Sequence, residues 1–180
     1  MNVDQKGFSK NNHFSQNAAV NFRKKIIARG ELDKWLHALR DSGRKLVVTN
    51  GCFDLLHLGH VTYLEAAKNQ GDVLLVGVTS DRAVGELKGP GRPVNSEDDR
   101  ASVLASLESV DAVYIFPEKT AERFLVEVKP DIYVKGGDYT LDTINQDERR
   151  IVEKAGGKVV VLAFVPGKSS TDLLKKLSQL

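Results

Sequence analysis

The stretch "KLVVTNGCFDLLHLGHVTYLEAAKNQG", residues 45–71, divides into three kinds of segment. "KLVVTN" (45–50) is short, β-branched and almost wholly apolar, which predicts a strand covered on both faces. "GHVTYLEAAKNQG" (59–71) predicts a helix, stopped by Gly71. Between them runs "NGCFDLLHLGH" (50–60), a turn bracketed by Gly51 and Gly59 and carrying His57 and His60 three residues apart. Glycine lets backbone N–H groups approach an anion with no Cβ in the way, and the start of the helix adds its positive end. Two histidines at this spacing can face one pocket.

The same alternation continues on both sides. A helix is predicted over Glu31–Asp41, with Leu32, Leu36 and Leu39 on one face. "DVLLVGVTS" (72–80) is a second buried strand, and "KGPGRPVN" (88–95) is a Gly/Pro-punctuated loop. Asn95 or Ser96 can cap the helix "EDDRASVLASLES", whose first turn holds three acids against the helix dipole. Strands follow at 111–117, 131–137 and 158–167, with helices from Thr120, near Gln146–Ala155, and in "SSTDLLKKLSQ". This order predicts an α/β fold, a Rossmann-like parallel sheet flanked by helices and joined by right-handed crossovers. Ligands of such sheets bind beyond the C-terminal strand ends, which puts "NGCFDLLHLGH", "TSDRAV", "VKGGDY" and "VPGKSST" on one rim.

At 180 residues the chain suits one domain with a proper core. Residues 1–22, rich in Asn, Gln, Ser and Lys, read as a flexible N-terminal tail or assembly arm, and 23–180 as the domain. Hydrophobic content of 41% and charged content of 28% are globular values. A formal charge of +2 points neither to nucleic acid nor to a membrane surface. No apolar run approaches the ~20 residues that span a bilayer, and the N-terminus lacks the apolar centre of a signal peptide. The single cysteine, Cys52, can form no internal disulfide, which fits a reducing, cytoplasmic setting.

Four readings of the histidine stretch compete. Core histidines would need a largely apolar helix face and satisfied ring nitrogens. As zinc ligands, Cys52, His57 and His60 form C-x₄-H-x₂-H without an evident fourth ligand, so no metal site is assigned. A histidine general base needs a proton worth removing. A phosphate cradle, in which imidazoles donate to oxygens as charge shifts in the transition state, accounts for the glycines as well. "GKS" (167–169) mimics a P-loop, but the first glycine of that pattern would fall on Leu162.

"GCFDLLHLGH" resembles the G-x-F-D-x-x-H-x-G-H signature of the nucleotidyltransferase superfamily with a cytidylyltransferase-like fold. Residue usage puts a chance match at about one in 10⁸ starting positions. With "SDRAV", "KGPGRPVN", "VKPDIYVKGGDY" and "GGKVVVLAFVPGKSSTDLLKK", residues 24–178 resemble the heptose 1-phosphate adenylyltransferase family in its stand-alone form. One departure is "KSST" where relatives often show a Ser-Thr-Thr run; Ser170 keeps the hydroxyl, and Lys168 falls at a variable place.

The resemblance implies transfer of AMP from ATP to D-glycero-D-manno-heptose 1-phosphate, with Mg²⁺ carried mainly by the ATP phosphates and a homo-oligomer, dimer or larger. It implies catalytic roles for His57, His60, Lys88 and Arg100. Gly51, Cys52, Phe53, Gly59, Lys135, Gly136, Gly137 and Asp138 would line the nucleotide, with Tyr139 beside them and Ser169, Ser170 and Thr171 opening the last helix at its phosphates. Arg100, and Arg92 as a candidate of the same kind, would meet the sugar phosphate, and Asp54 would line the acceptor pocket or orient a neighbour. The plainer alternatives are a solvated Lys88, a surface ion pair of Arg100 with Glu97, and an ordinary N-cap at 169–171. Competing functions are a cytidylyltransferase acting on glycerol 3-phosphate or another small phosphate, and a non-catalytic nucleotide-binding module.

Overall fold

The computed structural model of the chain describes residues 21–137 and 139–163. The tail up to residue 20, Asp138, Lys168, the Ser169–Thr171 run and the closing helix lie outside the described residues.

Five parallel strands form one sheet: β1 (Leu46–Gly51), β2 (Val73–Thr79), β3 (Ala112–Phe116), β4 (Ile132–Gly136) and β5 (Lys158–Leu162), in the order β3-β2-β1-β4-β5. The helices are α1 (Leu32–Asp41), α2 (Leu58–Lys68), α3 (Asp81–Lys88), α4 (Glu97–Ala105), α5 (Glu122–Val128) and α6 (Gln146–Lys154). The alternation read from the sequence is thus the architecture: an α/β fold with a doubly wound parallel sheet.

Period-two alternation divides the core into two layers. Leu46, Val48, Val73 and Leu75 face α1, α5 and α6, among Leu36, Phe124 and Val152. Their neighbours Val47, Leu74 and Val76 face α2 and α4, among Leu64, Ala67, Ala101 and Leu104. Because both faces are covered, β1 and β2 read as continuous apolar runs. Gly77 answers to the first layer: a Cβ there would lie 2.7 Å from the ring of Phe124. A 3₁₀ turn, Phe22–Lys25, opens the described body, with Phe22 packed against the second layer. Lys25 Nζ donates to the carbonyls of Leu107 and Val110 at 3.0 and 2.7 Å.

Two readings change. "TSDRAV" is more than a rim loop: Ser80 caps α3 by accepting from Ala83 N–H at 3.3 Å, and Asp81 occupies its first turn. The helix has only eight residues, includes Gly85 and ends at Gly89 with φ 85°, so its apolar period is too short to stand out. α4 ends at Ala105, four residues before the end of "EDDRASVLASLES", and Ser96 rather than Asn95 caps it, accepting from Asp99 N–H at 3.2 Å.

Candidate functional site

In this strand order the chain leaves β1 for β2 on one side and returns to pair β4 on the other. The crevice between β1 and β4 is therefore the switch point, where doubly wound sheets take their ligands. A cavity of 260 Å³ opens there. β1 and its turn contribute Asn50 to Asp54, and α2 contributes His60 and Tyr63. Lys88 and Arg92 enter from the Gly/Pro loop and its approach, and Lys135, Gly136 and Tyr139 come from β4 and its end.

His57 occupies the N-cap position of α2, where no side chain caps the helix. His60 lies one turn inside, and the two imidazoles stack with centroids 4.0 Å apart at 24°. The Phe53 ring meets His60 edge-on at 5.5 Å. Phe53 has a left-handed backbone (φ 47°), and Gly51 gives its ring room: a Cβ there would lie 3.1 Å from Phe53 Cε2. Burial, then the charges of His57 and Lys88, lower the His60 pKa to about 4. The imidazole is therefore neutral at physiological pH, and an incoming anion would offset the neighbouring positive charge. Gly59 is buried in the first turn of α2, and Lys88 closes α3 with its charge toward His60.

Asp54 organises the Gly/Pro loop. Its Oδ2 accepts from Arg92 Nε at 2.6 Å, and its Oδ1 accepts from the N–H groups of Val94 and Asn95 at 2.8 and 3.0 Å. Burial pulls this carboxyl's pKa up, but the Asn95, Arg92 and Val94 donors outweigh it and hold the pKa below the ordinary value.

Arg100 departs from its expected role. Its side chain is fully buried and donates to protein acceptors: Asn95 O from Nε (3.1 Å), Cys52 O from Nη1 (2.5 Å), and Thr79 O and Asp81 Oδ1 from Nη2 (2.8 and 2.7 Å). It is absent from the cavity wall among the described residues. Nor does it pair with Glu97, whose carboxylate accepts from Asp81 N–H at 2.6 Å. A planar, five-donor guanidinium suits this junction of three rim segments, and the assignment to sugar phosphate is corrected to a tie between them.

Lys135 is also more engaged than the sequence implied. Its ammonium donates to Glu148 Oε2 at 3.0 Å, Tyr133 Oη at 2.9 Å and Asn50 Oδ1 at 3.2 Å. Glu148, nearly buried on α6, also accepts from Ala121 N–H at 3.1 Å and so braces the start of α5. Burial and the Glu148 carboxylate raise the Tyr133 pKa and keep its hydroxyl protonated. Gly136 answers to packing: a Cβ there would lie 2.4 Å from Tyr63 Cε2. Tyr63 is itself pinned by Thr49 Oγ1 at 2.7 Å and Val134 O at 3.0 Å. Gly137, with φ 134°, turns the chain beneath the Tyr139 ring. Sequence reasoning missed Asn50, Tyr63 and Glu148; only the strand-end position of Asn50, beside Gly51, was a signal for any of them.

The chain resembles known proteins along most of its length. The cytidylyltransferase-like family matches residues 48–175. "Bifunctional protein HldE" of Methylobacillus flagellatus is 52% identical over 153 residues, covering 85% of this chain and 30% of that protein. Its counterpart in Ectopseudomonas mendocina is 50% identical over 149 residues, covering 81% and 31%. The chain thus spans less than a third of the length of these curated relatives. Among solved structures, the lipopolysaccharide core biosynthesis protein from Thermoplasma volcanium GSS1 aligns with a TM-score of 0.56 and 32% identity, over 68% of this chain and 98% of that one. No helix among the described residues is long and apolar enough to cross a membrane. The motif, the doubly wound sheet, the cavity at its switch point and these matches agree: the chain belongs to the cytidylyltransferase-like family.

Proposed function

We propose that the chain is a nucleotidyltransferase that transfers AMP from ATP to D-glycero-D-manno-heptose 1-phosphate, releasing pyrophosphate and giving ADP-heptose. One observation carries the transferase chemistry: His60 and Lys88 line a cavity at the switch point, and His57, at the start of α2, stacks on His60 from behind. The choice of heptose is supported by the sequence resemblance and by the likeness to a lipopolysaccharide core biosynthesis protein. ADP-heptose would then supply the lipopolysaccharide core from the cytoplasm.

A phosphate oxygen of the acceptor attacks the α-phosphorus of ATP in line, and the bond from that phosphorus to the bridging oxygen of pyrophosphate breaks. A phosphate monoester has its second pKa near ~6, so the nucleophile is already ionised and no general base is needed. Catalysis reduces to positioning and to stabilising the charge that moves to pyrophosphate. His60, backed by His57, and Lys88 do this from one wall, with the first N–H groups of α2. Arg92, steered by Asp54, meets the acceptor phosphate. Among the described residues lining the cavity the one carboxylate is Asp54, whose oxygens are already taken. Mg²⁺ would ride on the ATP phosphates, where it would neutralise charge. The family resemblance also suggests a homo-oligomer, which light scattering would test.

The deciding experiment is pyrophosphate release with Mg²⁺ and both anomers of heptose 1-phosphate, scanning ATP, CTP, GTP and UTP. Release with ATP is expected. Turnover with CTP and glycerol 3-phosphate alone would replace both substrates, and nucleotide binding without turnover of any pair would leave a binding module.

A further inference from the structure

The orientation of the Asn50 side chain is decided by its neighbours. Lysine ammonium can only donate, so the Asn50 atom 3.2 Å from Lys135 Nζ must be the carbonyl oxygen. The Tyr133 hydroxyl reaches the same oxygen at 2.5 Å. That hydroxyl has one proton and also faces Glu148 Oε2 at 2.7 Å, so the Lys135 ammonium is the donor that fixes Oδ1, and Nδ2 is the atom left over. Among the described residues Nδ2 meets no acceptor, and Asn50 lines the cavity between β1 and β4.

This wall differs in kind from the histidine wall. The Lys135 ammonium donates to three protein acceptors, one of them the Glu148 carboxylate, which balances its charge. Asn50 therefore offers a neutral donor whose direction is set from behind, while His60 and Lys88 supply the surroundings a phosphate needs. A neutral, fixed N–H matches a hydroxyl oxygen.

We propose that Asn50 is a specificity-determining residue whose Nδ2 donates to a sugar hydroxyl, and that Tyr133 is a positioning residue acting through it. This rests on the transferase reading above. The hydroxyl belongs either to the acceptor sugar or to the ribose of ATP, and the test separates the two.

Steady-state kinetics of Asn50→Ala, Asn50→Asp, Tyr133→Phe and the Asn50→Ala/Tyr133→Phe double variant are compared with wild type, with ATP, 2′-deoxy-ATP and 3′-deoxy-ATP as donors. Asn50→Ala should raise one KM about tenfold, the upper range for a neutral hydrogen bond, with kcat within about twofold. A rise confined to heptose 1-phosphate assigns the hydroxyl to the acceptor. A rise confined to ATP, with discrimination against one deoxy-ATP lost, assigns it to the ribose. Asn50→Asp keeps the oxygen that Tyr133 and Lys135 need and removes the donor, so it should match Asn50→Ala at least. Tyr133→Phe should raise the same KM by about threefold, and the double variant should be no worse than Asn50→Ala. Unchanged KM values, an Asp variant like wild type, or additive effects of Asn50 and Tyr133 would overturn the proposal. A wild-type enzyme inactive with ATP and heptose 1-phosphate would instead overturn the activity, and this assignment with it.

Discussion

Replacing Arg100 by alanine separates two roles that the sequence leaves confounded. A ligand of the sugar phosphate would leave the fold intact and weaken substrate binding. The buried tie described here predicts loss of stability first. Removal strands the Asp81 carboxylate and the carbonyls of Cys52, Thr79 and Asn95. Breaking a buried ion pair from one side costs about 3–5 kcal/mol, and the lower end applies because Asp81 is 40% exposed and water can replace part of the contact. One or more inward-facing carbonyls without a donor add about 1 kcal/mol. A total of about 4 kcal/mol is a large share of a domain's net stability and should lower Tm by about 10 °C. Arg100→Lys keeps the charge but cannot reach four acceptors from a single ammonium, so its Tm should fall between the two. Thermal unfolding followed by far-ultraviolet circular dichroism measures both. An Arg100→Ala protein that melts with wild type, while its KM for the acceptor alone rises, would refute the tie and restore the sugar-phosphate role.

Replacing His60 by alanine should leave Tm within a few degrees and lower kcat by about 10²–10³, the cost of one transition-state donor; near-normal turnover in the folded variant would remove the histidine wall from the mechanism. The His60 pKa is lowered in the folded protein from 6.5 to about 4, so as pH falls through this window the unfolded chain takes up a proton that the folded one refuses. The resulting stability is fully present above pH 6.5 and declines toward pH 4, and urea unfolding should show wild type losing more than His60→Gln between pH 7 and 5; parallel losses would contradict the assigned burial. Gly136→Ala drives a methyl into a Tyr63 ring held by two hydrogen bonds, and overpacking of about 1–3 kcal/mol should lower Tm by roughly 5 °C. An unchanged Tm there would mean that the β4 end yields more easily than its contacts imply.

Much of the molecule is legible from local pattern. Continuous apolar runs at β1 and β2 report strands covered on both faces, and the alternation with helices leaves little choice but a parallel sheet. The glycine-bracketed turn with two histidines is legible as well, because backbone approach and helix polarity are local properties of a strand-turn-helix unit. α3 escaped because eight residues ending at a glycine carry too few turns for a period to emerge. What the linear order could not decide was how residues far apart in the chain divide the work. An arginine one turn into α4 reads equally well as a phosphate ligand, a surface pair or an internal tie. Only its burial against Cys52, Thr79 and Asp81, up to 48 positions away, selects the tie. In the same way Lys135 looks like a free cation in "VKGGDY", until α6 brings Glu148 against it and Asn50 is left holding the open donor. Local sequence determined the elements, their order and the histidine turn, because each follows from interactions within a few residues. The tertiary structure alone decided which charges are neutralised and which donors face the cavity, because hydrogen-bond partners are set by whichever groups packing brings within about 3 Å.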